Sequence, residues 1–101
     1  MLMFEGHVGV RLMNDYASVW PLWWSDGGQV LEHELPLSIG LTRDLLAWAE
    51  GFDAHFSYET GWDRPTSRLA HAEQADRLIV NLRRELDGLL EVEPRVWELE
   101  S

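Results

Sequence analysis

Twice in the middle of this chain, apolar residues recur at three- and four-residue spacing. Leu41, Leu45, Trp48, Ala49, Phe52 and Phe56 line one face of a predicted helix over residues 39–56. Arg43, Asp44, Ala47, Glu50 and His55 fall mostly elsewhere and meet water. Leu69, Ala72, Ala75, Ile79, Leu82 and Leu86 repeat the pattern in a second predicted helix over residues 65–87. Ser38 is the candidate N-cap of the first helix; Asp63 or Thr66 is that of the second, with Pro65 in its first turn. Gly88 stands where a left-handed residue ends a helix. Gly51 conflicts with the pattern, because glycine inside a helix costs about 1 kcal/mol relative to alanine. Close packing of a bulky side chain, such as a tryptophan, against the backbone would account for it.

The flanking segments alternate with period two. In His7–Met13, Val8, Val10 and Leu12 point one way and Gly9, Arg11 and Met13 the other, which predicts a half-buried strand over residues 7–13. Ser18–Trp24 contains Pro21, which cannot donate to a ladder, so it is an edge strand or an extended loop. Ser25-Asp26-Gly27-Gly28 is a turn signal, and Gln29–Leu35 returns as a second arm, so residues 18–35 read as a tryptophan-rich extended segment or hairpin. A last strand is predicted over residues 89–99, broken at Pro94 and resuming through Leu99. Pairing the N-terminal and C-terminal strands in a small antiparallel sheet, covered by an antiparallel helical pair, gives a two-layer α+β fold in a single domain, residues 1–101.

Composition narrows the function classes. The absence of cysteine excludes disulfides and thiolate metal sites. With no apolar run near the roughly 18 residues of a membrane span, and no basic-then-apolar start, a cytoplasmic location is expected. Eighteen acids face eight bases, all arginine, for a formal charge of −10. So acidic a chain is repelled by nucleic acid and by anionic membranes, and its macromolecular partners are expected to be basic; the competing reading of the acidity is solubility alone. The lack of lysine removes Schiff-base chemistry.

Catalytic chemistry finds no foothold. His7, His33, His55 and His71 form no metal-ligand pair by spacing and are expected to stand isolated at the surface. Asp53 and His55 fall on different helix faces, and strand alternation sends His33 away from Glu32 and Glu34. There is no Gly-x-Ser-x-Gly elbow and no phosphate loop. No catalytic residue, metal ligand or cofactor is predicted. Asp76 is expected to be partly buried between Ala72 and Ile79, paired with an arginine such as Arg11 or Arg43.

The six tryptophans are the stronger signal. A core of this size takes about three or four such rings, given the area each buries, so at least one is expected to be partly exposed. Trp20, Trp23, Trp24 and Asp26, with the loop residues Tyr58, Glu59, Trp62 and Asp63, are the candidate interaction surface. For Trp62 the preferred alternative is that it folds back and plugs the open end of the helical pair. In general character (small, acidic, cysteine-free, tryptophan-rich) the chain resembles bacterial immunity proteins and other inhibitors of basic enzymes, a likeness of composition that involves no motif. It implies a protein-interaction module that binds a basic protein such as a toxin or nuclease. The alternatives are a small enzyme or ligand-binding domain with an aromatic cleft lined by Trp20, Trp24 and Trp97, and a homo-oligomer joined through the tryptophan-rich segment.

Overall fold

The first of the two helical stripes folds as its spacing dictates. In the computed structural model, which describes Phe4, residues 6–16 and residues 18–100, α1 spans Ile39–His55 and buries Leu41, Leu45, Trp48, Ala49 and Phe52. The Ser38 hydroxyl caps it, accepting from the Leu41 N–H, and Phe56 is half-buried just beyond its end. The second helix, α2, spans Pro65–Glu85, but its buried face is rotated from the predicted one. It turns His71, Ala75, Leu78 and Leu82 inward, while Leu69 and Asp76 are exposed and Ala72 and Ile79 half-buried. The rotation follows from a polar side chain, His71, taking a core position. Asp76 therefore meets solvent, and Arg11 pairs instead with Glu93 at 2.7 Å. Arg64, rather than Asp63 or Thr66, occupies the N-cap of α2, without a side-chain cap bond, and Asp63 bonds His55.

The sheet joins the two ends of the chain. Its order is β2 (Leu22–Trp24), β1 (Gly9–Leu12), β5 (Glu91–Pro94). β1 and β2 run antiparallel, but β1 and β5 run parallel, Val10 opposite Val92, so the sheet is mixed rather than antiparallel. Parity explains this: β2 reverses β1, α1 reverses β2, α2 reverses α1, and the next segment must run with β1. Val10, Leu12, Leu22 and Trp24 meet Leu45, Trp48, Leu78 and Leu82 in one core. Each fully buried leucine there contributes about 1.5–3 kcal/mol.

Three segments depart from the predicted pattern. The predicted return arm over residues 29–35 is short: Gln29 bridges antiparallel to Trp23, and the chain then turns at residues 32–35. Val30 and Leu35 are buried, and residues 28–30 cover the outer edge of β2 through Trp24 N–H to Gly28 O and Val30 N–H to Leu22 O. The last strand does not resume after Pro94; Trp97–Glu100 form a 3-10 turn. A further hairpin, β3 (Phe56–Ser57) and β4 (Gly61–Trp62), closes the loop between the helices.

Gly51 has no packing reason inside the fold. A Cβ built there meets nothing within 4 Å, so the expected close approach of a bulky neighbour does not occur. Gly51→Ala is therefore expected to stabilise the chain by about 0.5–1 kcal/mol, seen as a higher melting temperature. Leu45→Asp places a charge at a fully buried position and is expected to unfold the chain, read as loss of the helical circular dichroism signal, because stability of such domains is only about 5–15 kcal/mol.

Candidate functional site

A polar network lies where α2, the 3-10 turn and the segment after β1 meet. His71 is 3% exposed and Glu98 0%. The His71 Nε2–H donates to Glu98 Oε2 at 2.6 Å, and Asn14 Nδ2 donates to the same oxygen at 2.7 Å. The backbone carbonyls of these three residues each accept a tryptophan N–H: Trp48 to His71, Trp62 to Glu98 and Trp97 to Asn14. Trp48 also stacks on the imidazole, centroids 4.5 Å apart at 11°, and Trp62 tilts over it at 4.7 Å. The network thus ties five separate stretches of the chain together with directional bonds.

Above the network lies an aromatic end. Tyr16 contacts Phe52 at 5.6 Å, Phe56 at 6.5 Å, Trp97 at 5.5 Å and Tyr58 at 6.0 Å. Phe56 meets Trp62 edge-on at 5.2 Å. Phe52 is buried and Phe56, Trp62 and Trp97 half-buried, whereas Tyr16 is 53% and Tyr58 78% exposed. Two tyrosines therefore present apolar area to solvent on a rigid base, the arrangement from which interface hot spots are made. Desolvation, reinforced by Glu98 and Tyr58, raises the Tyr16 phenol above its usual 10.0, so that ring faces solvent as a neutral phenol at physiological pH.

The predicted site residues divide. Tyr58, Glu59, Trp62 and Asp63 come together at this end. Trp62 acts as the plug, and Tyr58 and Glu59 project outward. Trp20 and Trp24 are each 5% exposed and belong to the core, so they neither present a surface nor line a cleft with Trp97. Trp23 is half-buried, its N–H donating to Met13 O. Asp26 is exposed, but it lies at the opposite end of the sheet, bonded to His7 at 2.8 Å ahead of β1. Tyr16 was the residue missed. It follows a turn-like Asn-Asp pair, and nothing local signals that it will reach over the helical pair.

The histidines are not isolated. His7 meets Asp26, His55 meets Asp63 at 2.7 Å and His71 meets Glu98; His33 lies 3.9 Å from Glu32 because its segment turns instead of extending. Among the described residues no three His, Cys, Asp or Glu side chains gather to hold a metal. The bond from His55, with a second from Ser67, holds the Asp63 carboxyl below its ordinary value and ties the segment after β4 to α1 and α2.

Comparison with known proteins finds one family. A family model described as Serratia CdiI immunity protein-like matches residues 8–93, from just ahead of β1 into β5. No curated protein matches the chain.

Glu98→Ala strands His71 and Asn14 in the interior. It is expected to cost about 3–5 kcal/mol, the range for removing one member of a buried pair, measured by denaturant unfolding. For Asp63 the folded pKa lies below 3.8. Its contribution to stability is fully present above that pH and is lost as pH falls through the lower folded value. The melting temperature of Asp63→Asn is expected to converge on that of the parent chain in this acid range and to fall below it at neutral pH.

Proposed function

The chain belongs to the Serratia CdiI immunity protein-like family, and from that membership we propose that it neutralises a basic toxin by binding it through the tyrosine-capped end of the molecule. It is an immunity-type protein. The observation that carries the choice of surface is the exposed Tyr16–Tyr58 pair, set in the acidic half of the chain. Residues 12–63 hold nine acids and a single base, Arg43, whereas residues 64–100 hold eight acids and six arginines. The aromatic end is built largely from that first part: Tyr16, the end of α1 and the β3–β4 loop. A basic partner is drawn to it by the long-range field and held by the desolvated rings. The acidity also keeps the protein off nucleic acid and anionic membranes, in keeping with action in the cytoplasm on a protein target.

Capture from the native source with a tagged chain, followed by binding kinetics across a salt series, tests this reading. The expected partner is a basic toxin whose activity is lost on binding. Association should slow steeply as ionic strength rises and the Debye length shrinks from about 30 to about 8 Å, with dissociation changing less. Tyr58→Ala should raise the off-rate about tenfold or more, in line with a hot-spot aromatic. Glu59→Gln should mainly lower the on-rate. A partner bound without regard to salt, or unaffected by Tyr58→Ala, would contradict the proposed surface and force.

A further inference from the structure

Next to the tyrosine pair, the outer flank of α1 and the segment between β1 and β2 enclose a shallow groove of about 430 Å³, lined by Val19, Leu46, Glu50 and Asp53. Leu46, Glu50 and Asp53 stand at i, i+4 and i+7, so one face of α1 supplies three of the four walls. Val19 is 71% exposed and Leu46 half-buried. The groove is thus apolar along its length, with two carboxylates at its rim.

We propose that this groove receives a single arginine or lysine side chain of the toxin, its aliphatic stem on Val19 and Leu46 and its cation between Glu50 and Asp53. The proposal rests on the toxin-binding reading and adds the chemistry of the contact. Long basic side chains are the ones that bury a hydrocarbon stem while keeping a charged head at a polar rim, and a guanidinium can engage carboxylates with two hydrogen bonds. The charge pattern of the chain selects the same occupant. No lysine or arginine lines the groove; residues 12–53 hold seven acids against one base, Arg43, which stands on α1 one turn before Leu46. Asp53 adds an independent sign of an unmet charge. Its carboxyl is pushed above the ordinary value of 3.8 by desolvation, with no cation lowering it. Elsewhere acids have found partners within the fold: His55 and Ser67 lower Asp63, and Arg11 and Arg95 lower Glu93. An incoming cation would offset the desolvation of Asp53 and add little strain, since the groove is already open.

The test does not need the toxin. The ¹⁵N-labelled chain is titrated with N-acetyl-arginine amide and, separately, with N-acetyl-citrulline amide, which has nearly the same shape and no charge. The arginine compound should give saturable amide shifts concentrated at Val19, Leu46, Glu50 and Asp53, with citrulline bound more weakly by about tenfold, the low end of what close charge pairs contribute across an interface. The double variant Glu50→Gln, Asp53→Asn should lose the preference for arginine while keeping the parent melting temperature. Equal response to both compounds would overturn the proposal. So would shifts spread evenly over acids that lack apolar walls, such as Asp26, Glu32 and Glu34. Concentration-dependent dimerisation abolished by the double variant would also overturn it, in favour of a second copy of this chain as the occupant. If the double variant binds the captured toxin as tightly as the parent, the groove assignment fails while the toxin reading stands. Failure to capture any toxin would instead count against the broader reading.

Discussion

The bond between His71 and Glu98 is the interaction on which the rest of the architecture turns. It places a histidine in the core of α2, and this sets the rotation of that helix: with His71 inward, Ala75, Leu78 and Leu82 must follow and Leu69 must face solvent. It also draws the C-terminal turn against the helices, where Trp97 can seal the aromatic end. The arrangement is costly. Glu98 Oε1 and Asn14 Oδ1 are buried with no hydrogen-bond partner among the described residues, and unmet acceptors of that kind cost about 1–3 kcal/mol each. An apolar cluster of equal volume would cost less. What the polar version supplies is direction. Three tryptophan N–H groups, a histidine and an asparagine each accept only one geometry, so the stretches they join are held in a single register.

That rigidity bears on function. Tyr16 and Tyr58 come from segments far apart in sequence, and their edge-on contact exists only because Phe52, Phe56 and Trp97 hold Tyr16 from beneath. A pair of exposed rings on a fixed base loses little entropy when a partner covers it. Acids on the same part of the chain add reach without adding rigidity, which suits fast capture of an oppositely charged target. The edges of the sheet, by contrast, are largely taken up within the fold. Residues 28–30 cover β2, while on β5 Pro94 offers no N–H and Arg83 donates to Val92 O. On the proposed reading, binding falls to side chains at one end rather than to the backbone.

Much of this fold could be read in the sequence, and the exceptions have a common origin. The stripe of α1 and its Ser38 cap are local, and they appear as predicted. The union of the two terminal strands was legible from their apolar alternation, although its parallel sense depends on counting reversals across the whole chain. The face of α2 was misassigned because the partner of His71 lies 27 residues away, in a Glu-Leu-Glu run that reads as surface. Trp20 and Trp24 were placed outside for the opposite reason. A surplus of tryptophan suggests exposure, but a thin mixed sheet beside two helices has room for Trp20, Trp24 and Trp48, while the polar network seats Trp62 and Trp97 at its margin and Trp23 bonds Met13 O. The role of Trp62 as a plug was legible in outline from its position in a glycine turn beyond α1. Tyr16 was not legible, since its environment is assembled from α1, the β3–β4 loop and the C-terminal turn.

The central claim is that this immunity-type protein meets its toxin with the tyrosine-capped, acidic end that the buried network holds in place. Hydrogen–deuterium exchange of the chain, free and bound to the captured toxin, tests that claim most directly. The account predicts that binding slows exchange in residues 14–20, in the second half of α1 and in residues 56–63, leaving the exposed face of α2 and the turn at residues 25–28 unchanged. Protection concentrated on α2 or on the 25–28 turn, with the aromatic end unaffected, would contradict it.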